Sequence, residues 1–518
     1  MGNTNFDIVI IGSGMGGLCC GVILSKEGYK VCILEKNRQL GGSLQIFSRD
    51  KVIFDTGIHY IGGLGEGQNL NSYFKYLGLM DKIKLKRMDM DGFDHITFKG
   101  DPIVYKHAQG YDNFIRVLTD QFPEEKENIV NYCDKIREIC DFFPLYRLGD
   151  DTKDLVSANF LSIDTKAYLE SVTSNTKLQN VLAGTNPLYA GVADKTPLYV
   201  HALVVNTYIE SSWKCIDGGG QIAKHLAASI KEMGGVIFNY SEAAKFNFED
   251  NIVKDVELTN GKKIGGKYFI SNFDISKTLD MVEPGRIRQA YRSRINSLKN
   301  TTSSFILYIV LKKNTMKYFN HNIYHYHNDN VWEGINSKPM MESEPSENWP
   351  HSFALFPQAS SKNGLYADSV IVMAYMNYDE VKKWENTINI TPNHEEDRGA
   401  EYDAFKIEKS EKLIEALEAR LPGLKKNIQS FYSSTPLTYR DYIGSRDGTL
   451  YGIEKDYHDP LKTFITPKTK VPNLFLTGQN LNLHGMLGVT VSSIVTCSEI
   501  LGEQKDLIRK IKKFAEEN

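Results

Sequence analysis

Near the start of the chain, the glycine-rich hexad Gly12-Ser13-Gly14-Met15-Gly16-Gly17 separates two stretches of different periodicity. Before it, FDIVIIG (Phe6 to Gly12) is a short apolar run rich in β-branched residues, the pattern of a strand covered on both faces. After it, a helical pattern runs from about Met15 to Glu27, with Gly28 where a helix C-cap is expected. KVCILE (Lys30 to Glu35) then reads as a second strand. Strand, glycine turn, helix and strand form the opening βαβ unit of a doubly wound parallel sheet, so the predicted fold is α/β with a Rossmann-like domain. In the GxGxxG spacing Gly12 permits the tight turn and Gly14 lets backbone approach a pyrophosphate. Gly17 lets helix pack on strand, while the helix start at Met15 and Gly16 turns N–H groups to the phosphates. Glu35, followed by Lys36, closes the second strand where a carboxylate accepts both hydroxyls of a ribose. A bound dinucleotide is the expectation.

Two features favour FAD over NAD. Gly41-Gly42-Ser43 follows Glu35 at the short interval where FAD enzymes of the glutathione-reductase type place a second glycine pair. LTGQNLNLHGMLGV (Leu476 to Val489) again sets a strand before glycines and a helix start. Gly478, Gln479, Gly488 and Val489 are therefore expected at the pyrophosphate, ribityl chain and flavin ring, with the positive end of a helix stabilising an anionic reduced ring. Taken alone, Gly478 and Gly488 read equally as ordinary turn glycines. GGLGEG (Gly62 to Gly67) follows the wrong pattern for a second fingerprint, so no dedicated NAD(P)H domain is predicted. The electron donor stays open, NAD(P)H among the choices.

The 518 residues suggest two or more domains. From about Leu70 to Tyr208, amphipathic stretches such as Tyr111 to Phe122 and Pro123 to Phe143 predict a largely helical region. Gly218 to Gly235 predicts another glycine-led helix, followed by strands with a hairpin turn at Asn260-Gly261. Ser303 to Leu311 and Val370 to Tyr378 read as strands of a second sheet. Asn386 to Arg398 reads as an exposed loop, Glu408 to Arg420 as a helix closed by Pro422-Gly423, and about Leu487 to Leu501 as the helix after PNLFLTG. A formal charge of -3 gives no electrostatic basis for nucleic acid as a partner. Seven cysteines without a CxxC pair read as reduced thiols. His321, His325 and His327 fit no single helix face and read as a surface strand, so no metal site is predicted. Asp7, the glycines from Gly12 to Gly17 and the missing basic n-region set Phe6 to Leu24 apart from a signal peptide or membrane span. A cytoplasmic protein is expected, soluble or peripheral at a membrane. For the membrane contact the candidate is the C-terminal pattern that pairs Ile500, Leu501, Leu507, Ile508, Ile511 and Phe514 with Arg509, Lys510, Lys512 and Lys513. A helix packed on its own domain looks the same.

IIGSGMGGL, FDTGIHYIGG (Phe54 to Gly63), DGGGQIAKHL, STPLTYRDYIG (Ser433 to Gly444) and PNLFLTGQN carry a resemblance over nearly the whole chain. The chain resembles the carotenoid isomerase, retinol saturase (all-trans-retinol 13,14-reductase) and phytoene desaturase family of FAD-dependent oxidoreductases. FDTGIHYIGG looks most like the saturase and isomerase branch. The resemblance implies an FAD-binding domain from residues 1–75, 215–285 and 465–518, and a substrate domain of sheet and helices from 76–214 and 286–464. It implies an oxidoreductase acting on CH–CH groups, with reduction of a C=C bond in an apolar isoprenoid or polyene favoured over isomerisation or desaturation. Where animal saturases carry a stretch with Cys and His after the glycine pair, this chain has Ser43-Leu44-Gln45, which sets it apart on retinol as substrate. Gly57, Ile58, His59 and Tyr60 are placed near the flavin, with His59 and Tyr60 as catalytic candidates able to donate a proton or polarise a conjugated system. His59 reads equally as a packed, hydrogen-bonded structural residue, and Asp55 as bonded to backbone in its turn. Outside enzymes, prenyl-lipid-binding proteins of the GDP-dissociation-inhibitor type share this fold without redox chemistry.

Overall fold

The computed structural model describes residues 5–149, 159–335, 349–362, 364–389, 398–502 and 504–518. Asn5–Ile11 runs inside a seven-stranded sheet, flanked in parallel by Val31–Leu34 and Lys263–Ser271. Val236–Phe238 and Leu474–Leu476 add further parallel strands, and Ile252–Leu258 and Ala243–Glu249 continue the sheet antiparallel. The strands come from three separated parts of the chain. Their apolar runs are continuous because both faces are covered, and successive side chains part between them. Ile8 and Ile10 pack toward the Met15–Lys26 and Gly485–Leu501 helices, while Val9 and Ile11 join Ile275 and Leu279 on the other side. Gly28 (φ +85°) ends the first helix, and Gly261 (φ +78°) turns the predicted hairpin, donating its N–H to the Leu258 carbonyl at 2.9 Å. The carboxyl ends of the parallel strands bring Gly12, Glu35, Asn272 and Thr477 to one edge, the place where sheets of this type bind ligands.

The second seven-stranded sheet runs in the order Ile428–Ser434, Ser303–Leu311, Ser369–Met376, Ser352–Pro357, Asn322–Tyr326, Asp94–Phe98 and Tyr105–His107. Its four central members of that order after the first are buried along their whole length. Alternation again divides the faces. Phe305, Leu307 and Leu355 pack with Leu413 and Leu417 of the Ala400–Arg420 helix. Ile306, Tyr308, Tyr324, Phe356 and Met373 turn to the opposite side, toward the helices Lys126–Phe142 and Leu198–Glu210.

One expectation changes and two are narrowed. The region from Leu70 to Tyr208 is not purely helical, because Leu85–Arg87, Asp94–Phe98 and Tyr105–His107 are strands. They have three to five residues, too few to declare a period of two, and Asp94–Phe98 finds a parallel partner only in Asn322–Tyr326. The histidine-bearing strand is not a surface strand: Asn322–Tyr326 is buried between two neighbours, with His325 Nδ1 3.0 Å from Thr97 Oγ1. The C-terminal helix Gln504–Glu517 packs Leu507, Ile508 and Ile511 into the core shared with Tyr73 and Val491, and Lys510 pairs with Glu27. Its apolar stripe therefore faces its own domain rather than a lipid surface. Among the described residues no helix is long and apolar enough to cross a membrane. Part of the predicted loop from Asn386 to Arg398, residues 390–397, lies outside the described residues. All seven cysteines are free thiols.

Candidate active site

A cavity of about 490 Å³ opens along the carboxyl edge of the first sheet and reaches the second. Its first part is bare backbone. Gly14 caps the Met15–Lys26 helix without a side-chain bond, which leaves the first N–H groups of that helix turned to the cavity. A Cβ on Gly14 would lie 3.1 Å from Asn272 Nδ2, and one on Gly16 only 2.5 Å from Asn272 Oδ1. Gly42 (φ +56°) approaches Gly14 so closely that a Cβ would sit 3.1 Å from its Cα. Glu35 is held in place by this chain: Oε1 accepts the Asn37 N–H at 2.8 Å, and Oε2 accepts both the N–H (3.1 Å) and the hydroxyl (2.6 Å) of Ser13. Lys36 donates to the Asp441 carbonyl at 2.6 Å, and burial lowers its pKa. Asp55 accepts the Gly219 N–H at 2.6 Å, so it ties FDTG to the start of the Gly220–Glu232 helix. Burial pushes its carboxyl up to about 7.

Beyond the cradle the walls turn aromatic, with Tyr208, Tyr324, Phe356, Tyr439 and Tyr451 on the lining. A second helix starts here: His484 caps Gly485–Leu501 without a side-chain bond, and Gly485, Met486 and Val489 line the cavity, so the positive end of that helix faces it too. His484 Nε2 lies 3.0 Å from the Leu188 carbonyl, and its ring is 4.3 Å from that of Tyr451. His59 lies flat on Phe356, centroids 4.4 Å apart, and its Nδ1 has no hydrogen-bond partner among the described residues. Stacking, not hydrogen bonding, holds it. Burial and the charge of Lys214 push its imidazole down to about 3, so it is neutral near pH 7.

Tyr60 anchors a buried polar cluster at this end. Its hydroxyl donates to Asp94 Oδ2 at 2.8 Å and shares a 2.7 Å hydrogen bond with the Tyr324 hydroxyl. Asp94 Oδ1 accepts Asn322 Nδ2 at 2.8 Å. Lys214, buried, donates to the Pro357 carbonyl at 2.9 Å; burial pushes it down to about 7, and the charge of Asp94 opposes that.

The cavity brings together Gly12, Gly14, Met15, Gly16, Glu35, Lys36, Gly41, Gly42, Ser43, Gly57, Ile58, His59, Tyr60, Gly478, Gln479 and Val489. Gly17 and Gly488 do not line it. A Cβ on Gly17 would lie 2.1 Å from the Gly12 carbonyl oxygen, and one on Gly488 2.5 Å from that of Leu483, so both glycines serve close packing of helix against backbone. The reading of the sequence missed Asn272, Asp94, Lys214, Tyr324 and His484. Asn272 follows the strand Lys263–Ser271, and its place at a strand's carboxyl end was a usable signal. His484 lies within LTGQNLNLHGMLGV, just before the glycine that starts the helix, while Tyr324, which lines the cavity, and Asp94 and Lys214 behind it are brought there by strand pairings that span much of the chain and carry no local motif.

Comparisons with known proteins give four matches of note. A family described as NAD(P)-binding Rossmann-like domain matches residues 10–77. All-trans-retinol 13,14-reductase of Homo sapiens is 26% identical over 539 residues, covering 96% of this chain and 85% of that protein. Chloroplastic prolycopene isomerase of Arabidopsis thaliana is 22% identical over 520 residues, covering 97% and 84%. Among solved structures, an oxidoreductase from Methanosarcina mazei superposes with a TM-score of 0.63 at 15% identity, covering 94% of this chain and 99% of that one. The chain is thus similar over nearly all of its residues to retinol reductases and prolycopene isomerases, and it is built on a Rossmann-type fold.

Proposed function

We propose that this homologue of the retinol 13,14-reductases and prolycopene isomerases is an FAD-dependent oxidoreductase that reduces a C=C bond of an apolar polyene. The observation that carries the reading is one continuous cavity, with a glycine cradle and the Glu35 carboxylate in one part and an aromatic wall in the other. The cradle fits a dinucleotide: two uncapped helix starts face it, and side chains at Gly14, Gly16 and Gly42 would collide with their surroundings. When bound, FAD supplies hydride transfer at its ring. Gly12, Gly14 and Gly16 leave backbone free for the pyrophosphate, Glu35 takes a ribose hydroxyl, and the Gly485–Leu501 helix turns its positive end toward the ring. Tyr208, Phe356, Tyr439 and Tyr451 offer the flat apolar contacts that a conjugated chain stacks on. His59, neutral and held by stacking, orients the substrate or ring by an N–H bond; Tyr60, whose hydroxyl sits in the buried cluster, serves the proton. The division of the chain into an FAD part (1–75, 215–285, 465–518) and a substrate part (76–214, 286–464) belongs to the same reading.

The test starts from purified protein, which should show flavin absorbance released as FAD on denaturation. Reduced anaerobically and mixed with retinoid and carotenoid polyenes, it should give a product heavier by two hydrogens with reoxidation of the flavin. Products of unchanged mass and altered geometry instead identify an isomerase, the second reading that the Arabidopsis relative supports. A colourless protein that takes up no FAD refutes both.

A further inference from the structure

Reduction of an alkene needs a hydride on one carbon and a proton on its neighbour. The hydride and its electron pair come from the reduced dinucleotide of the reading above, on which this inference rests. The proton must come from the chain. Tyr60 and Tyr324 both line the cavity, and behind them stands Asp94, with no solvent-accessible surface. Three oxygens lie in a row, Asp94 Oδ2, Tyr60 Oη and Tyr324 Oη, with successive separations of 2.8 and 2.7 Å.

The two hydroxyl hydrogens decide what such a row can do. When Asp94 is a carboxylate, Tyr60 donates to it and Tyr324 donates to Tyr60, so both hydrogens point away from the cavity. When Asp94 is an acid, it donates to Tyr60, Tyr60 donates to Tyr324, and the hydrogen of Tyr324 is released toward the cavity. We propose that Asp94, Tyr60 and Tyr324 form a proton-delivery chain in which Tyr324 is the terminal donor to the substrate and the protonation of Asp94 sets the chain's direction. In turnover the Tyr324 O–H bond breaks as a C–H bond forms, the Tyr60 proton moves to the Tyr324 oxygen, and the Asp94 proton moves to the Tyr60 oxygen. Asp94 is left as a carboxylate and takes one proton from water for the next cycle. A second cavity of about 10 Å³, room for one water molecule, borders Asp94 together with His107 and Tyr208.

The surroundings suit an acid that loads near neutral pH. Tyr60, Tyr208 from the Leu198–Glu210 helix, His107 from the neighbouring strand, Asn322 and Tyr324 from the strand on the other side, and Lys214 from Ser212–Cys215 face the carboxyl. Burial pushes it up to about 7, against the hydrogen bonds of Tyr60 and Asn322 and the charge of Lys214. His107 is pushed down by burial to about 4 and is neutral there.

Two measurements test the chain. In the infrared spectrum of the FAD-loaded resting protein, a protonated-carboxyl band should fade as the pH rises through about 7. It should be missing in Asp94→Asn and kept in Asp55→Asn, which separates it from the other buried acid. In anaerobic stopped flow with all-trans-retinol as probe, Tyr324→Phe should slow flavin reoxidation by about 10²- to 10⁴-fold while KM stays within about threefold. Asp94→Asn should abolish the fall in rate above neutral pH. A wild type that reduces neither all-trans-retinol nor any of the other retinoid and carotenoid polyenes overturns the functional reading and the delivery step together. A reducing wild type whose Tyr324→Phe variant keeps its rate, or an Asp94→Asn spectrum that loses no protonated-carboxyl band relative to the wild type, overturns the delivery chain alone.

Discussion

Glu35→Ala separates the task that the structure shows for this carboxylate from the one proposed for it. A carboxylate has about four lone-pair sites. Three are taken within the chain, by Asn37 N–H on Oε1 and by the N–H and hydroxyl of Ser13 on Oε2. One site on Oε1 is free, so in the proposed complex Glu35 would bind one ribose hydroxyl directly, and a second would have to displace the Ser13 hydroxyl. One charge-assisted hydrogen bond contributes about 1.5–3 kcal/mol, and Glu35→Ala is expected to weaken FAD binding by about 10- to 150-fold. In the cofactor-free protein the same change leaves three donors without their acceptor, at a cost of about 2–4 kcal/mol in stability. Glu35→Gln should keep the Asn37 bond but turn an amide N–H toward the donors of Ser13. The assay is titration of apoprotein with FAD by flavin fluorescence, paired with melting curves with and without FAD. If Kd stays within about twofold of wild type while the apoprotein loses stability, Glu35 is a structural clamp and the ribose assignment fails.

Gly17→Ala should destabilise by about 3 kcal/mol or more, because its Cβ meets the fixed Gly12 carbonyl at 2.1 Å. A melting temperature within ~2 °C of wild type would show the helix can move off the strand. Lys214→Met removes the cation that favours the Asp94 carboxylate, so the pH midpoint of substrate-driven flavin reoxidation should move upward; a downward move refutes the proton chain's electrostatics. Stability should fall on acidification. Burial pushes His59, His95, His201 and His325 down to about 3 and His107 and His484 down to about 4, while the unfolded chain binds these protons from about 6.5. These groups lose stability as pH drops through that window. Asp55 and Asp94, raised to about 7, have the opposite sign between about 3.8 and 7, and six histidines outweigh two acids. Melting temperatures that rise between pH 6.5 and 4 contradict the balance.

The opening βαβ unit was legible in the sequence because everything that makes it is local. Phe6 to Glu35 holds its strand pattern, its glycines, its helix and its closing carboxylate within one window, and the hydrogen bonds that seat Glu35 span only 22 and two residues. The Ser303–Leu311 strand was legible for a related reason: nine consecutive buried residues leave no room for a polar helical face. FDTGIHYIGG was legible as a motif, and so were His59 and Tyr60 as candidates.

What stands behind them was not. Asp94 sits in a five-residue strand whose partner lies 228 residues on at Asn322, and nothing in FDHITF marks a buried acid. Tyr324 belonged to a histidine-rich stretch that reads as surface, since three imidazoles in seven residues look solvated until strands on both sides bury them. Tyr60 and Tyr324 are 264 residues apart and meet only because the second sheet sets them against one cavity. The C-terminal helix shows the same limit. Its pattern establishes an apolar stripe, but whether that stripe meets lipid or protein depends on Tyr73 and Val491 being there to receive it. Patterning within one element therefore determined the dinucleotide cradle, a matter of backbone shape and short-range spacing. Burial, and with it the charge state of Asp94, Lys214 and His59, was decided by the tertiary structure, because desolvation depends on every atom packed around a group and not on its neighbours in the chain.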